Sequence, residues 1–597
     1  MAATSNFTRG GQISMHRLRM FQQISMTALM IALVVGLTFF CAKSAVSINS
    51  YDWYLLKEYL WADLTVSMSP RNRGRVIQDF EYANGYRVKA RSLDIVNNPH
   101  IKKRVSQVQA TLYQTMLLSS LLSLIVLLIA IVYFVFRGRV QFKNKLKRGG
   151  AMVSVKQLAA LLKSSDSASC LCLDDLPLVK DKETSHLLIM GSTGSGKSNC
   201  LYSLLPQIRK LGQKAVVVDL TGDLVARYYR KDQDLILNPF DERSLAWHPW
   251  AECKIASDYD SMADAFIGSN PNAYDPFWEM ASKTVFASAL KCLANKPSTS
   301  GLFEKLATVP LVELASFLEG TKAAALTDSK GEKTTLSIRA SLVARVSVLE
   351  YLKDTQESFS IKQWIQKEQN DQWLFLTAMP PQRESLRPLL STWMDTAIQG
   401  LMAMPPDYQR RVWFVIDELP ALQKLPSLGK ALAELRKYGG CILAGIQDIP
   451  QIKDIYGNNG AQTILNQCNT KVFFRSTDPE TCRYISQALG EREQIETSEN
   501  LSYGANTTRD GVSLSETKRV ESIVLPTEVS QLQDLQCYIK LPGDLPITQL
   551  QMTFKKAEKE AEEEAGKKVE EEEKKVEEKA DKKTEQEEGL KEEKTRN

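Results

Sequence analysis

The chain has 597 residues, of which 44% are hydrophobic and 24% are charged, and its formal net charge at pH 7 is +5. This length is enough for several domains. The ten cysteines are scattered, which argues against a disulfide-stapled secreted protein and points to a reducing compartment. Cys170 and Cys172 have no companion ligands at zinc-binding spacing, so we expect no zinc site.

Two uncharged, mostly apolar runs lie near the N-terminus, at residues 24–42 and 116–136. Each is long enough to cross a hydrocarbon core of about 30 Å. A signal peptide is the alternative for the first run, but its apolar region would be too long and no small-residue cleavage site stands out. A buried core helix is the alternative for the second, whose sequence LLSSLLSLIVLLIAIVYFVF disfavours it. We therefore expect two transmembrane helices.

Basic residues flank both predicted spans on the side away from the intervening loop. Three precede the first span and six follow the second, namely Arg9, Arg17, Arg19, Arg137, Arg139, Lys143, Lys145, Lys147 and Arg148. Positive charge favours the cytoplasmic side, so both termini are expected there. The loop 43–115 contains its own basic residues (Arg71, Arg73, Arg75), but its length of about 70 residues exceeds the range in which this rule is dependable. We expect it to form a small extracytoplasmic (periplasmic) domain.

A phosphate-binding motif follows the second span, in the stretch HLLIMGSTGSGKSN at residues 186–199. Residues 187–190 form an apolar run typical of a buried strand, and residues 191–198 match G-x-x-x-x-G-K-S, the Walker A pattern. A helix is expected from about Ser198 to Leu211, with the positive end of its dipole at the phosphates. A chance Gly/Ser-rich turn is the alternative, but strand, loop and helix occur in the required order. The motif predicts binding of a nucleoside triphosphate by Gly191, Ser192, Thr193, Gly194, Ser195, Gly196, Lys197 and Ser198.

Within this loop the individual side chains have expected roles. Lys197 would contact the β and γ phosphates, and the Ser198 hydroxyl would be a ligand of Mg²⁺. The next apolar run, KAVVVDL at 214–220, predicts a second buried strand, with the P-loop helix as the crossover of a βαβ unit.

The middle of the soluble region has a different periodicity. Stretches such as LSIRASLVARVSVLEYL (336–352) place apolar residues at helical spacing, which predicts an inserted, all-α subdomain over residues 251–351. Strand-like runs return at 373–377, 412–416, 441–445 and 471–474. The predicted fold class is therefore α/β.

The second strong motif is RRVWFVIDELP at residues 410–420, where an apolar strand ends in Asp417 and Glu418. Asp417 would position Mg²⁺, and Glu418 would polarise the water that attacks the γ-phosphate. The alternative is a strand that simply runs into an acidic turn. The P-loop upstream favours the catalytic interpretation.

Three further polar residues are weaker candidates. Gln447, just beyond a buried strand, would sense the γ-phosphate or orient water, unless it is an ordinary residue at a strand end. Arg436 lies near the end of a predicted helix in PSLGKALAELRKYGG, where it would either reach a neighbouring subunit's nucleotide or favour the helix C-terminus. Arg475, after the strand KVFF, is a similar candidate. The four histidines lie near no nucleophile pattern, so no second chemistry is expected.

The segment 555–597 is almost entirely Lys, Glu and Ala, with 13 basic and 17 acidic residues. Such a segment forms a solvated single helix through i,i+4 pairs or remains disordered. Val569, Val576 and Leu590 are too few apolar residues for a coiled coil.

An ordered set of segments resembles the type IV secretion system coupling proteins, the conjugative TraD/TraG-like family. These segments are TRGGQISMHRLRMFQQI (8–24), ILNPFDERSLAWHPW (236–250), DPFW (275–278), RRVWFVIDELPALQKLPSL (410–428) and NTKVFFRS (469–476). The resemblance runs over about 540 residues, and the ordered set is far more specific than the Walker motifs alone. The Lys/Glu tail departs from the family's pattern.

The resemblance implies a bacterial inner-membrane, RecA-like ATPase that assembles as a homo-hexamer, uses ATP and Mg²⁺, and passes a relaxase–DNA complex to the secretion channel. Its partners would be sequence-independent DNA, relaxosome proteins and channel components. Residue by residue, Arg436 matches the family's proposed trans-acting arginine and Gln447 its strand-end glutamine. The implied domains are 1–23, 24–42, 43–115, 116–136, 137–250 (nucleotide-binding, first part), 251–351 (all-α), 352–554 (nucleotide-binding, second part) and 555–597.

Two other functions remain open. The chain could be a receptor whose ATP cycle recruits or gates protein substrates without pumping DNA, and the sequence does not separate this from DNA pumping. A chromosome-segregation-type translocase is disfavoured, because no winged-helix pattern follows residue 541.

Overall fold

A computed structural model describes residues 2–68, 76–141, 145–271, 275–327, 331–355, 357–367, 371–502 and 511–555. Internal contacts define two compact units, residues 1–145 with 495–517 and residues 146–494 with 518–597. The tail after residue 555 and the loop residues Arg71, Arg73 and Arg75 lie outside the described residues.

Four helices dominate the first unit: α1 (Ala2–Ser47), α2 (Ser50–Met68), α3 (Ser92–Asn97) and α4 (Pro99–Gln141). Within α1 and α4, Leu18–Ser47 and Pro99–Arg137 are long and apolar enough to cross a membrane, and the two predicted spans lie inside them. Helices α1 and α4 pack side by side. They approach so closely that a Cβ atom added at Gly36 would lie 1.9 Å from Ser123 Oγ. Small residues of this kind let apolar helices approach closely.

The residues between α1 and α4 fold into a small domain with its own core. Strand β1 (Ile77–Glu81) pairs antiparallel with β2 (Arg87–Arg91). The Glu81 backbone N–H donates to the Tyr54 hydroxyl at 3.0 Å, which holds β1 on α2. Phe80 and Ile95 are buried between these elements.

The strands that follow along the chain are β3 (Lys145–Gly149), β4 (Met152–Val153), β5 (Ala168–Leu173), β6 (Leu176–Val179), β7 (Leu187–Met190), β8 (Lys214–Asp219), β9 (Leu235–Leu237), β10 (Trp373–Thr377), β11 (Val412–Ile416), β12 (Gly440–Ile446), β13 (Thr470–Phe473), β14 (Glu491–Ser502), β15 (Gly511–Ser522), β16 (Gln536–Lys540) and β17 (Ile547–Gln551). Ten of them form one sheet in the order β4-β17-β16-β13-β7-β12-β11-β8-β10-β9. From β13 to β9 every neighbouring pair is parallel. Strands β7, β8, β10, β11 and β12 are buried along their whole length, as expected of parallel strands covered on both faces.

The predicted strands 187–190, 373–377 and 412–416 coincide with β7, β10 and β11. Strands β7 and β8 are parallel and joined through the P-loop helix, as the predicted βαβ unit requires, and β12 and β11 lie between them in the sheet. The crossover through the P-loop helix therefore skips two strand positions. As a consequence, the carboxyl ends of β12 and β11 meet the P-loop directly, which is the arrangement of a RecA-like ATPase domain.

The helices of the second unit are α5 (Val155–Ser164), α6 (Lys197–Lys210), α7 (Asp223–Tyr228), α8 (Ala256–Ile267), α9 (Phe277–Cys292), α10 (Thr299–Ala307), α11 (Leu311–Phe317), α12 (Glu332–Val346), α13 (Ile361–Gln366), α14 (Arg383–Met402), α15 (Leu428–Glu434), α16 (Ile449–Gln467), α17 (Pro479–Leu489) and α18 (Pro526–Ser530). Over the described part of the predicted all-α region 251–351, helices and turns occur and strands do not. The rings of Phe266 and Phe286 pack in its core with centroids 5.0 Å apart.

The helix expected through PSLGKALAELRKYGG is shorter than predicted. Helix α15 ends at Glu434, and a 3-10 turn at Leu435–Tyr438 leads into β12. Arg436 therefore lies on this turn, beside the amino end of β12.

Candidate nucleotide-binding site

The predicted phosphate-binding loop, residues 191–198, joins the carboxyl end of β7 to α6. Gly196 has φ +122°, and a Cβ atom there would lie 2.8 Å from Phe474 Cε1 and 3.2 Å from the Leu535 Cα atom. Only glycine tolerates both this conformation and this contact. The Ser192 N–H donates to the Arg475 carbonyl at 2.8 Å, so the segment that follows β13 holds the loop in place.

The side chain of Lys197 lies within this loop and is only 8% exposed. Its Nζ donates to the carbonyl oxygens of Gly191 (2.6 Å) and Ser192 (3.2 Å). Burial lowers the pKa of Lys197, while the carboxylates of Glu418 and Asp417 oppose that shift. The result is a preplaced cation at the base of the loop.

Asp417 and Glu418 follow β11, as predicted, and both line the same cavity as the P-loop. Burial raises the pKa of Asp417, and this shift is opposed by Lys197 and by a hydrogen bond with Ser198. Burial likewise raises the pKa of Glu418, against a hydrogen bond from Gln447. The structure thus places the two predicted magnesium ligands, Ser198 and Asp417, in contact with each other.

Gln447 connects the P-loop to the acidic pair. Its Nε2 donates to Glu418 Oε2 at 2.8 Å, and Thr193 Oγ1 donates to its Oε1 at 3.3 Å. The other carboxylate oxygen, Glu418 Oε1, is buried and accepts no hydrogen bond from a described residue. A buried acceptor of this kind normally has a partner, and at this position it suits a residue that polarises water.

Together these residues surround a cavity of about 430 Å³. Its walls comprise Thr193, Gly194, Gly196, Lys197, Ser198, Asn199, Tyr202, Leu220, Thr221, Arg383, Asp417, Glu418, Ala421, Gln447, Leu535 and Phe554. Sequence reasoning missed several of them. Thr221 could have been found because it follows a predicted strand end, whereas Arg383, Leu535 and Phe554 belong to no motif and reach the cavity only through the fold.

The two candidate arginines lie in different places. Arg436 is exposed beside the amino end of β12, whereas the P-loop follows the carboxyl end of the parallel strand β7. The structure therefore does not bring Arg436 to its own chain's P-loop. Arg475 does lie beside its own P-loop, but its guanidinium pairs with Asp534 at 2.8 Å.

The residues fit a magnesium-bound nucleoside triphosphate. Among the described residues, no group of three or more His, Cys, Asp or Glu side chains could hold a metal ion alone. Mg²⁺ in nucleotide enzymes typically takes one or two carboxylates, with phosphates and water completing its octahedron. The pair Ser198–Asp417 beside Lys197 meets that requirement.

Residues 170–553 match the family described as type IV secretion-system coupling protein DNA-binding domain. The chain is 32% identical over 576 residues to coupling protein TraD of Escherichia coli (strain K12), covering 94% of this chain and 79% of that protein. It is 29% identical over 120 residues to protein VirD4 of Agrobacterium fabrum, covering 20% of this chain and 18% of that protein.

Solved structures of the conjugative coupling protein TrwB are similar to this chain. An unbound form of TrwB lacking its N-terminus superposes with a TM-score of 0.62 at 30% identity, covering 70% of this chain and 95% of that one. TrwB structures in complex with ADP and Mg²⁺, and with a non-hydrolysable ATP analogue, match at the same TM-score and identity.

Proposed function

Because the chain belongs to the type IV secretion-system coupling proteins, the family that links DNA transfer to a type IV secretion system, we propose that it hydrolyses ATP to drive DNA into such a system. ATP and Mg²⁺ are the ligands of its P-loop cavity, as the TrwB complexes indicate. Beyond nucleotide binding, we propose that the chain hydrolyses ATP and that DNA stimulates this hydrolysis.

This proposal rests above all on the chain of contacts from Thr193 through Gln447 to Glu418. Lys197 would bind the β and γ phosphates, and Ser198 and Asp417 would hold Mg²⁺, which neutralises charge on the phosphate oxygens. Glu418 would accept a proton from the attacking water through Oε1, the oxygen to which no described residue donates. Gln447, which accepts a hydrogen bond from Thr193 on the loop, would keep Glu418 oriented. It would also sense whether a γ-phosphate is present in the cavity.

The assembly that we propose is a homo-hexameric ring in which Arg436 of one subunit completes the site of the next. Two observations support it: Arg436 is exposed, and it lies at the opposite edge of the sheet from its own P-loop. Such an arginine stabilises the charge that develops in the transition state. Relaxosome proteins and components of the secretion channel would meet this ring.

The two apolar helices of the first unit fit anchoring in the bacterial inner membrane. We propose that both termini are cytoplasmic and that residues 43–115 are periplasmic, in accord with the flanking basic residues. A cysteine introduced at Asn84, on the exposed turn between β1 and β2, should react with a membrane-impermeant thiol reagent in cells with a permeabilised outer membrane. A cysteine introduced at the exposed Lys210 should react only after the inner membrane is opened, and the reverse pattern would contradict this topology.

DNA pumping and protein gating make different predictions for ATP turnover. The measurement is ATPase activity of the full chain in detergent, with and without DNA, at several salt concentrations. A pump should be stimulated severalfold, and stimulation should fall as salt rises because phosphate contacts dominate such binding. Turnover that is indifferent to DNA would contradict pumping and favour a receptor that gates protein substrates.

A further inference from the structure

A short segment at the end of the described chain is fixed on the P-loop helix. Asn199, in the first turn of α6, is only 4% exposed. Its Nδ2 donates to the Thr553 carbonyl at 3.0 Å, and its Oδ1 accepts from the Lys555 N–H at 2.7 Å. One side chain therefore holds the backbone on both sides of Phe554.

A second side chain also contacts the residues on both sides of Phe554. Asp174 accepts a hydrogen bond from the Thr553 N–H at 2.6 Å and forms an ion pair with Lys555 at 3.1 Å. Neither contact involves the Phe554 ring. The position of Phe554 is thus set by its neighbours, without any part taken by its side chain.

Phe554 is 62% exposed and forms part of the wall of the nucleotide cavity. Leaving a large apolar side chain in water is unfavourable, and covering it recovers free energy in proportion to the area buried. A ligand that reaches the cavity wall from the P-loop would provide that cover.

Leu535 forms an adjoining apolar part of the same wall. Its backbone has φ +64°, an unusual value for a residue with a branched side chain. Its N–H donates to the Ser195 carbonyl at 2.9 Å, and its carbonyl accepts from Met552 at 2.8 Å. Leu535 therefore joins the P-loop directly to the segment that carries Phe554.

We propose that Phe554 stacks on the base of the bound nucleotide, with Leu535 as an apolar neighbour. Lys197, Ser198 and Asp417 fix the phosphate end of the cavity, so the part of the ligand left to meet an aromatic wall is the nucleoside. Aromatic stacking accepts any base, because every base has a π face. The site then selects nucleoside triphosphates over bare polyphosphates, which the P-loop alone would not distinguish. This inference rests on the proposed ATPase function.

The test compares ATP with inorganic tripolyphosphate, which carries the phosphates but no base. Binding of each, with Mg²⁺, is measured by calorimetry on the full chain carrying Glu418→Gln, so that ATP is not consumed. Phe554→Ala should weaken ATP binding about tenfold and leave tripolyphosphate binding within about twofold. Phe554→Leu, which keeps apolar volume but lacks the ring face, should behave like Phe554→Ala, and Phe554→Trp should bind ATP as the parent does.

Tyr408→Ala is the matched control, because Tyr408 is 63% exposed and lies outside the cavity. It should change neither affinity. Equal weakening of both ligands by Phe554→Ala and Phe554→Leu, or no weakening of ATP, would overturn the stacking proposal. A parent protein that binds neither ligand would instead contradict the proposed function.

Discussion

The carboxyl ends and the amino ends of the parallel strands form two opposite edges of the sheet. The buried polar groups at these two edges differ in whether their hydrogen bonds are satisfied. At the carboxyl edge, Lys197, Asp417 and Glu418 are held close together, and Glu418 Oε1 is left without a partner among the described residues. At the amino edge, His186 is 2% exposed and both of its ring nitrogens are satisfied, by the Leu432 carbonyl at 3.0 Å and the Ile442 N–H at 3.2 Å. Polar groups at one edge are arranged for a ligand, and at the other for stability.

The same comparison supports the proposal that Arg436 acts on the site of a second copy of the chain. Arg436 is exposed at the amino edge, and opposite edges of one sheet cannot meet within one chain. They can meet between chains that associate head to tail, and such an association gives a ring when the rotation between subunits closes. Changes at the carboxyl edge and at the exposed Arg436 should therefore affect turnover, and changes at the buried polar groups of the amino edge should affect stability.

The largest effect is expected from Lys197→Ala, which should abolish ATP hydrolysis by removing the phosphate contact. Because the ammonium is buried and burial lowers its pKa, the unfolding temperature should stay unchanged or rise. ATPase assays and thermal unfolding on the same preparation check both outcomes. Lys210→Ala, at the exposed end of the same helix, is the control and should be neutral. Hydrolysis at the parental rate in Lys197→Ala would remove the P-loop from the mechanism.

Glu418→Gln should reduce turnover by about 10² to 10⁴, the usual contribution of a general base, while ATP binding is retained. The substitution keeps the shape of the side chain and removes its ability to take a proton. Nucleotide binding and steady-state hydrolysis are measured side by side, with Glu384→Gln at the exposed start of α14 as the control. If Glu418→Gln turns over normally, another residue activates the water.

At the amino edge the expected effect is on stability and depends on pH. Burial lowers the pKa of His186 from 6.5 to about 4. Between these values the unfolded chain binds a proton that the folded chain does not, so stability should fall by about 3 kcal/mol as pH drops through this window. Urea unfolding followed by tryptophan fluorescence at pH 7 and near pH 4 measures the slope.

The variant His186→Asn suits this measurement, since asparagine removes the titrating imidazole and keeps a side-chain donor and acceptor. It should be less stable than the parent at pH 7 and lose most of the pH slope. The control is His248→Asn, whose half-buried parent residue has a smaller lowering of pKa from burial and should account for less of the slope. A slope that survives in His186→Asn would show that other groups cause it.

The sequence predicted those parts of the fold that local patterns encode. Strands β7, β10 and β11 were predicted at their observed bounds because buried parallel strands are continuous apolar runs. The order of β7, β12, β11 and β8 was not predicted. The length of a crossover connection does not determine how many strands lie between the two strands that it joins. Strands β16 and β17 mix polar and apolar residues at the antiparallel side of the sheet and carry no strong signal.

The residues of the nucleotide site also fall into two groups, those that local motifs predict and those that only the fold brings to the cavity. Lys197, Ser198, Asp417 and Glu418 were predicted to act together because each motif implies its position at a strand end. Phe554 and Leu535 reach the cavity through β16 and β17, which return to the P-loop from more than 300 residues away along the chain. No spacing within the sequence brings such residues together, so only the fold reveals them.

The meeting of the two edges across a subunit interface is tested most directly by mixing two inactive variants, Lys197→Ala and Arg436→Ala. Arg436→Ala alone should lose about 10³ to 10⁵ in turnover with little loss of ATP binding. In mixed rings, isolated through two affinity tags, some interfaces pair an intact P-loop with an intact arginine, and equal mixing should restore up to about a quarter of the parental activity. The matched control mixes Lys197→Ala with Arg475→Ala, which restores nothing if Arg475 acts within its own chain. Partial recovery in the first mixture is the predicted result; mixed rings that stay inactive at every ratio would contradict the shared site.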